Sequence, residues 1–104
     1  MPNYYAIRTR PTRPAMMVEG LNERERESFV RHSAWLKERT AAGVFIFVGR
    51  TRDAGTDGWA LAVIKADSDE DARRIMNDDP FVRDGVVTPE LVGFDIIAVE
   101  PENR

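Results

Sequence analysis

The single histidine of this 104-residue sequence, His32, is the side chain best suited to acid–base chemistry near neutral pH. A histidine that transfers protons usually needs a carboxylate to orient its ring. Asp79 is a candidate for that carboxylate, because Pro80 restricts the backbone beside it and would hold its side chain in place. On the residues alone a structural role is favoured for both, since His32 lies on an apolar helix face beside Phe29 and Asp79 stands where a helix ends.

Three further polar side chains could contact a small anion. Arg50 ends an apolar segment and could bind a carboxylate or phenolate oxygen through two hydrogen bonds. Arg8, in the first apolar segment, could do the same, and Ser33 could form a hydrogen bond beside His32. For each of the three the alternative is a solvated surface side chain, so none of them identifies a substrate.

The composition excludes several classes of site. Without cysteine the chain forms no disulfide, thiol nucleophile or cysteine-based metal centre, and one histidine argues against a histidine-rich metal site. The net charge of −3 gives no general attraction to nucleic acid or to an anionic membrane. The sequence shows no phosphate-binding glycine motif, signal peptide or membrane-spanning segment. We therefore expect one cytoplasmic domain over residues 1–104, with no metal and no cofactor.

Hydropathy and capping residues predict the element order βαββαβ. Strands are predicted at 3–9, 44–51, 59–66 and 91–100, and helices at 23–42 and 69–77, with a further turn at 81–84. Asn22 and Glu25 have the spacing of a capping box, Gly43 suits the end of the first helix, and Ser68 caps the second. This order is typical of a ferredoxin-like α+β fold with a four-stranded antiparallel sheet.

The predicted strands are apolar on both faces. In the second strand, regular alternation places Phe45 and Phe47 on one face and Ile46 and Val48 on the other. Two helices cover only one face of a four-stranded sheet, so we expect a homodimer with the sheets face to face. The alternative is that the connection Arg10–Gly20, which its two prolines make extended, covers the second face.

The histidine, three glycines and an Asp-Pro-aromatic element occur in a spacing that resembles a known family. The residues are His32, Gly43, Gly49, the run Asp79-Pro80-Phe81-Val82 and the pair Gly85-Val86. Over roughly residues 4–98 they make the chain similar to the YCII-related (YciI-like) family of the dimeric α/β-barrel superfamily. The Asp-Pro-aromatic element with its downstream glycine is the more specific part of this pattern.

The resemblance implies a ferredoxin-like fold that dimerises through its sheets, with an active site formed by His32 and Asp79 in a pocket. Gly49 and Phe81, which belong to the shared pattern, join the candidates for substrate binding. The sequence departs from the family at Arg50, where a small residue or proline is usual, and in the length of the 10–20 connection. Both departures concern the rim of the pocket and leave the substrate open.

Two classes of function follow. The first is a cofactor-free enzyme of the lyase or isomerase type, in which His32 is the general acid/base for a small aromatic or enol-like anion and Asp79 fixes its tautomer. The second is a non-catalytic small-ligand-binding or accessory protein, because a fold does not fix a function. Nucleic-acid binding is a distant third, since the charge balance is acidic.

Overall fold

The structure, a computed structural model that describes residues 3–99, confirms the α+β class and the four-stranded antiparallel sheet. It adds one short helix after the first strand to the predicted order, and the turn predicted at 81–84 forms as a short helix over Pro80–Arg83. The elements are β1 Asn3–Pro11, α1 Met16–Glu19, α2 Glu23–Ala41, β2 Phe45–Arg50, β3 Ala60–Ala66, α3 Asp69–Asp78, α4 Pro80–Arg83 and β4 Val87–Gly93. A 3₁₀ turn, Gly55–Asp57, lies in the hairpin between β2 and β3.

The sheet has the strand order β2-β3-β1-β4, and the long helices α2 and α3 pack on one of its faces. The core lies between these two layers. It consists of Tyr5, Ile7, Phe45, Ile64, Ala66, Ala72 and Met76, with Trp35 and Leu36 of α2 packed against them. Burial of large apolar side chains such as Phe45 and Ile64 contributes about 1.5–3 kcal/mol each and holds the helices at a fixed distance from the strands.

The predicted helix ends are confirmed. The backbone N–H of Glu25 donates to Asn22 Oδ1 at 2.8 Å, and the backbone N–H of Asn22 donates to Glu25 Oε1 at 2.9 Å, which completes the capping box. Gly43 follows α2 with a φ of 81°, a conformation that favours glycine. Ser68 accepts a hydrogen bond from the backbone N–H of Asp71 at the start of α3.

A β-bulge in β2 overturns the predicted alternation of that strand. Phe45 pairs with Ile64, but the next pair joins Phe47 to Val63, so one extra residue interrupts the register between the two phenylalanines. Phe45 therefore faces the helices while Phe47 faces away from them, and the placement of both on one face was wrong. The bulge also turns Val48 toward the helix-covered side of the sheet.

The fourth strand begins four residues earlier than predicted. β4 spans Val87–Gly93, and Phe94 donates its backbone N–H to Tyr4 O; the apolar stretch 94–99 lies outside the sheet, and residue 100 lies outside the described residues. Pairing with β1 sets this register, because Val87 already lies opposite Pro11. Pro89 is tolerated because β4 is an edge strand, where a missing N–H need not break a ladder.

The 10–20 connection is not extended throughout. β1 continues to Pro11, and α1 forms at Met16–Glu19, after the second proline rather than across it. Met16 and Met17 lie on the helix-covered side of the sheet, so α1 does not cover the opposite face. On that opposite face Phe47 is half-exposed. The homodimer stays a prediction.

Within residues 3–99, no helix is both long enough and apolar enough to cross a membrane.

Candidate active site

A cavity of about 370 Å³ lies between α2 and the helix-facing side of the sheet. This volume is within the usual range for small-molecule sites, roughly 300–1,000 Å³. Most of its lining is apolar or aromatic. The apolar lining residues include Ile7, Met16, Met17, Phe29, Trp35, Leu36, Val48, Trp59, Ala62, Met76, Phe81 and Val87. The cavity therefore suits a mainly apolar molecule that a few polar groups would orient.

His32 extends from α2 into this cavity and contacts Asp79 through its Nδ1 atom. The distance from His32 Nδ1 to Asp79 Oδ1 is 2.7 Å, although the two residues are 47 positions apart in the sequence. Within residues 3–99, His32 Nε2 has no hydrogen-bond partner, and it is not among the buried unpartnered atoms. Nε2 is therefore the nitrogen that a molecule in the cavity can reach.

Aromatic rings fix the plane of the imidazole. The ring of Phe81 is stacked on that of His32, with centroids 4.0 Å apart and an interplanar angle of 7°. Phe29 contacts the pair at an angle, with its centroid 6.0 Å from that of Phe81. The His32 side chain is 17% exposed. Its ring can hardly rotate away from Asp79 without losing the stack.

Asp79 is held in place by its position between two helices. It ends α3 and caps α4, and Pro80 occupies the first position of α4, where proline is favoured. The backbone of Asp79 is extended, as expected for a residue before proline. Its Oδ1 atom also accepts the backbone N–H of Phe81 at 2.9 Å. The same carboxylate oxygen thus caps a helix and contacts the histidine.

The helices that carry the two residues are joined independently of this contact. Ser28, which is fully buried one turn before His32, donates its hydroxyl hydrogen to the carbonyl oxygen of Pro80 at 3.3 Å. Arg31 forms an ion pair with Asp84 at the end of α4. These bonds fix α4 against α2, and they therefore also fix the separation of His32 and Asp79.

The arrangement has the geometry of a histidine base with an orienting carboxylate. An ionised carboxylate only accepts hydrogen bonds, so the Nδ1 atom of His32 must carry the hydrogen that points to Asp79. The neutral ring then has its lone pair on Nε2, facing the cavity. The tautomer follows from this hydrogen-bond pattern.

Four of the five predicted substrate-binding residues line the cavity with the pair. They are Ser33, Gly49, Arg50 and Phe81. Arg8 does not line it. Its neighbours Ile7 and Thr9 point into the cavity, so Arg8 projects to the other face of the sheet, where its guanidinium lies 4.8 Å from the centre of the Trp59 ring.

Sequence reasoning missed several residues of the site. Phe29 was assigned to an apolar helix face, and its spacing of three from His32 is the signal that places it beside the imidazole. Trp35 of α2 both contacts Phe45 and lines the cavity. Met17 gave no signal, because the connection that contains it was expected to be extended.

In the described part of the chain, no group of three His, Asp or Glu side chains is placed to hold a metal ion.

The comparison with protein families identifies the family of the chain. A family model for the YCII-related domain matches residues 4–92. The chain belongs to the YCII-related domain family. Both His32 and Asp79 lie within the matched residues. The sequence has no significant match among curated proteins.

Solved structures resemble the YCII-related chain in fold. One is the 5-chloro-2-hydroxyhydroquinone dehydrochlorinase of Burkholderia phenoliruptrix in complex with 2,5-dihydroxybenzoquinone, at 17% identity and a TM-score of 0.62, covering 88% of this chain and 93% of that one. Another is SnoaB, a cofactor-independent oxygenase of Streptomyces nogalater, at 16% identity and a TM-score of 0.47, covering 96% and 97%. At 17% identity the likeness to the dehydrochlorinase concerns the ferredoxin-like fold.

Proposed function

We propose that this protein is a small-molecule enzyme of the lyase or isomerase type, in which His32 transfers protons and Asp79 orients and stabilises the histidine. The observation that carries the proposal is the 2.7 Å contact between His32 Nδ1 and Asp79 Oδ1 in a histidine that lines the cavity and whose Nε2 has no partner within residues 3–99. A histidine with only a structural role would be expected to use both nitrogens on protein groups or to face away from open space.

The cavity favours a planar, ring-sized substrate that carries an acidic hydroxyl group. Aromatic walls such as Phe81 and Phe29 suit a flat apolar body, and Ser33, which lines the cavity, supplies a hydroxyl for a polar substituent. Arg50 is exposed at the rim and supplies a positive charge for a phenolate or enolate oxygen. The substrate class proposed is therefore a phenol or an enol.

The chemistry begins with proton transfer to His32. Neutral Nε2 accepts a proton from a hydroxyl or an activated C–H group of the substrate. The imidazolium that forms is stabilised by the Asp79 carboxylate, which lies in direct contact with Nδ1. The stacked Phe81 ring keeps the imidazole in one plane, and the contact with Asp79 keeps Nδ1 turned toward the carboxylate while the charge on His32 changes.

The negative charge left on the substrate then determines the outcome. In an elimination, the electron pair forms a new double bond and the leaving group departs with the electrons of its own bond. In an isomerisation, His32 returns the same proton from Nε2 to a different atom of the substrate. Both reactions balance with one proton moving through one imidazole, so they share the same site.

The test combines binding and turnover in one variant pair. Asparagine at position 32 can still donate an amide hydrogen to Asp79 but has no basic nitrogen, whereas alanine also loses this hydrogen bond; neither variant keeps a ring stacked on Phe81. The first compounds to assay are 2,5-dihydroxybenzoquinone, as a binding probe, and chlorinated hydroxyhydroquinones, as elimination substrates. We expect His32→Asn to bind the probe, melt within a few degrees of wild type and lose turnover.

The controls distinguish the two classes of function. Val30→Ala changes an exposed residue of the same helix that does not line the cavity, and it should keep turnover of the same order as wild type. Turnover by His32→Asn at the wild-type rate would contradict the proposal. Tight binding of the probe with no turnover of any phenol or enol would instead favour the non-catalytic ligand-binding class.

A homodimer through the open sheet face is part of the same proposal. Phe47 and Val92 are about half-exposed on that face, and an apolar sheet surface is typical of an association surface. We expect light scattering to report twice the mass of one chain, and Phe47→Asp to reduce it to a single chain. A stable monomer of the wild-type protein would contradict the dimer.

A further inference from the structure

The connection between β1 and α2 forms a wall of the cavity, a role that nothing in the sequence predicts. Met16 is buried against Phe81, the ring that stacks on His32, and against Val87 of β4. Met17 follows it into the same wall and lines the cavity beside the hairpin that joins β2 to β3. One short helix therefore touches both the catalytic stack and the space available to a ligand.

Met17 meets the hairpin at a glycine. A Cβ atom added to Gly58 would lie 2.8 Å from Met17 Cε, which is closer than real contacts of this kind. A side chain at Gly58 would therefore displace the end of the Met17 side chain. Because Met17 is long and unbranched, the space on the cavity side of this contact depends on its own side chain.

A partly buried ion pair holds the connection in this position. Arg13 donates from Nε to Glu25 Oε2 at 2.9 Å and from Nη2 to Glu25 Oε1 at 2.7 Å. Arg13 Nη2 also donates to the carbonyl oxygen of Gly20 at 2.9 Å. Glu25 is buried and in addition caps α2, so the connection is fastened to the helix that carries His32.

We infer that Met17, fastened by Arg13 and Glu25, determines the size of ligand that the cavity accepts. The inference rests on the proposed function, because it concerns the substrate of the same site. It names the class more closely: phenols whose apolar substituents are short enough to fit beside the Met17 wall. Removal of the Met17 side chain should extend the cavity in this direction and admit longer substituents.

The test measures a size preference with a defined probe series. Phenol and para-alkylphenols with chains from methyl to butyl are titrated into the full chain, and binding is followed by calorimetry and by the ring signals of His32, the only histidine present. We expect Met17→Ala to raise the affinity for the longest members, relative to phenol, by about tenfold or more, since each accommodated methylene is worth that order of discrimination.

Two further variants serve as a control and as an independent test of the role of Met17. Val18→Ala is the matched control, because Val18 lies in the same short helix, is exposed and does not line the cavity; its size preference should equal that of wild type. Gly58→Ala has a backbone φ of −62°, which alanine adopts freely, so its Cβ should displace Met17 and also change the preference.

The outcomes separate this inference from the proposed function. An unchanged size preference in both Met17→Ala and Gly58→Ala, with phenols still bound, overturns the inference alone. An equal change in Val18→Ala overturns it as well, because the effect would then belong to the helix and not to the wall. If no member of the series binds the wild-type protein, the proposed function and the inference fail together.

Discussion

Replacing Asp79 with asparagine removes a negative charge from the site and little else. Asparagine keeps a carbonyl oxygen where Asp79 Oδ1 now accepts the backbone N–H of Phe81, so the cap of α4 can survive. The same oxygen can go on accepting the hydrogen of His32 Nδ1. Because the cap favours the amide oxygen at this position, we expect the tautomer of His32 to be retained.

The expected loss of kcat/KM can be worked out from the hydrogen bond between His32 and position 79, whose acceptor changes from charged to neutral. A hydrogen bond to a charged group contributes about 1.5–3 kcal/mol net, against about 0.5–1.5 kcal/mol for a neutral one. The difference, roughly 1–2 kcal/mol, applies when the imidazolium forms beside position 79. Since about 1.4 kcal/mol corresponds to a factor of ten, Asp79→Asn should lower kcat/KM by about 5- to 30-fold.

The assay uses kcat/KM on a turned-over phenol or enol together with nitrogen NMR of the single histidine. Asp78→Asn is the matched control, because Asp78 is the exposed neighbour at the end of α3 and should leave both measurements unchanged. Wild-type kcat/KM in Asp79→Asn would refute the stabilising role of the carboxylate. A hydrogen moved to Nε2 would refute the reasoning about the cap and should accompany a much larger loss.

The remaining predictions concern the supports of the site. Phe81→Leu removes the ring stacked on His32. Kinetics should show a clear fall in kcat/KM, and calorimetry should show only a small fall in the melting temperature. Arg13→Ala leaves a buried carboxylate without its main partner and should lower the melting temperature by several degrees, more than Glu25→Gln does. Arg13 lowers the pKa of Glu25 from 4.5 to about 2. The pair therefore stabilises the fold above about pH 4.5 and loses its contribution as the pH falls toward 2. Urea unfolding at several pH values should show this fall in the free energy of unfolding in wild type and not in Glu25→Gln.

The parts of the fold that sequence reasoning predicted are set by neighbouring residues. The Asn22–Glu25 capping box and the Ser68 cap depend on side chains within three positions of the backbone they satisfy. Gly43 ends α2 because the positive φ there is a property of a single residue. Such interactions between close neighbours in the chain can be predicted from the sequence alone.

The parts that were wrong depend on strand pairing. The bulge between Phe45 and Phe47 is defined by the pairing of β2 with β3, and no residue type within β2 predicts it. The start of β4 at Val87 is set by pairing with β1, and Pro89 is acceptable because, among residues 3–99, no strand lies beyond β4 in the sheet. α1 likewise owes its place to Met16 packing on Phe81 and Val87, which are distant in sequence.

The two alternatives considered for Asp79, helix punctuation and a partner for His32, are not exclusive. Its Oδ1 atom accepts from the Phe81 backbone and from His32 at once, so the cap is what places the carboxylate at the imidazole. Pro80 restricts the backbone of Asp79, and the capping hydrogen bond orients the Asp79 side chain. The Phe81 ring then stacks on His32. The three residues Asp79, Pro80 and Phe81 thus fix the carboxylate, the direction of Nε2 and the plane of the ring together. This explains why the Asp-Pro-aromatic element is a more specific signal than either His32 or Asp79 alone.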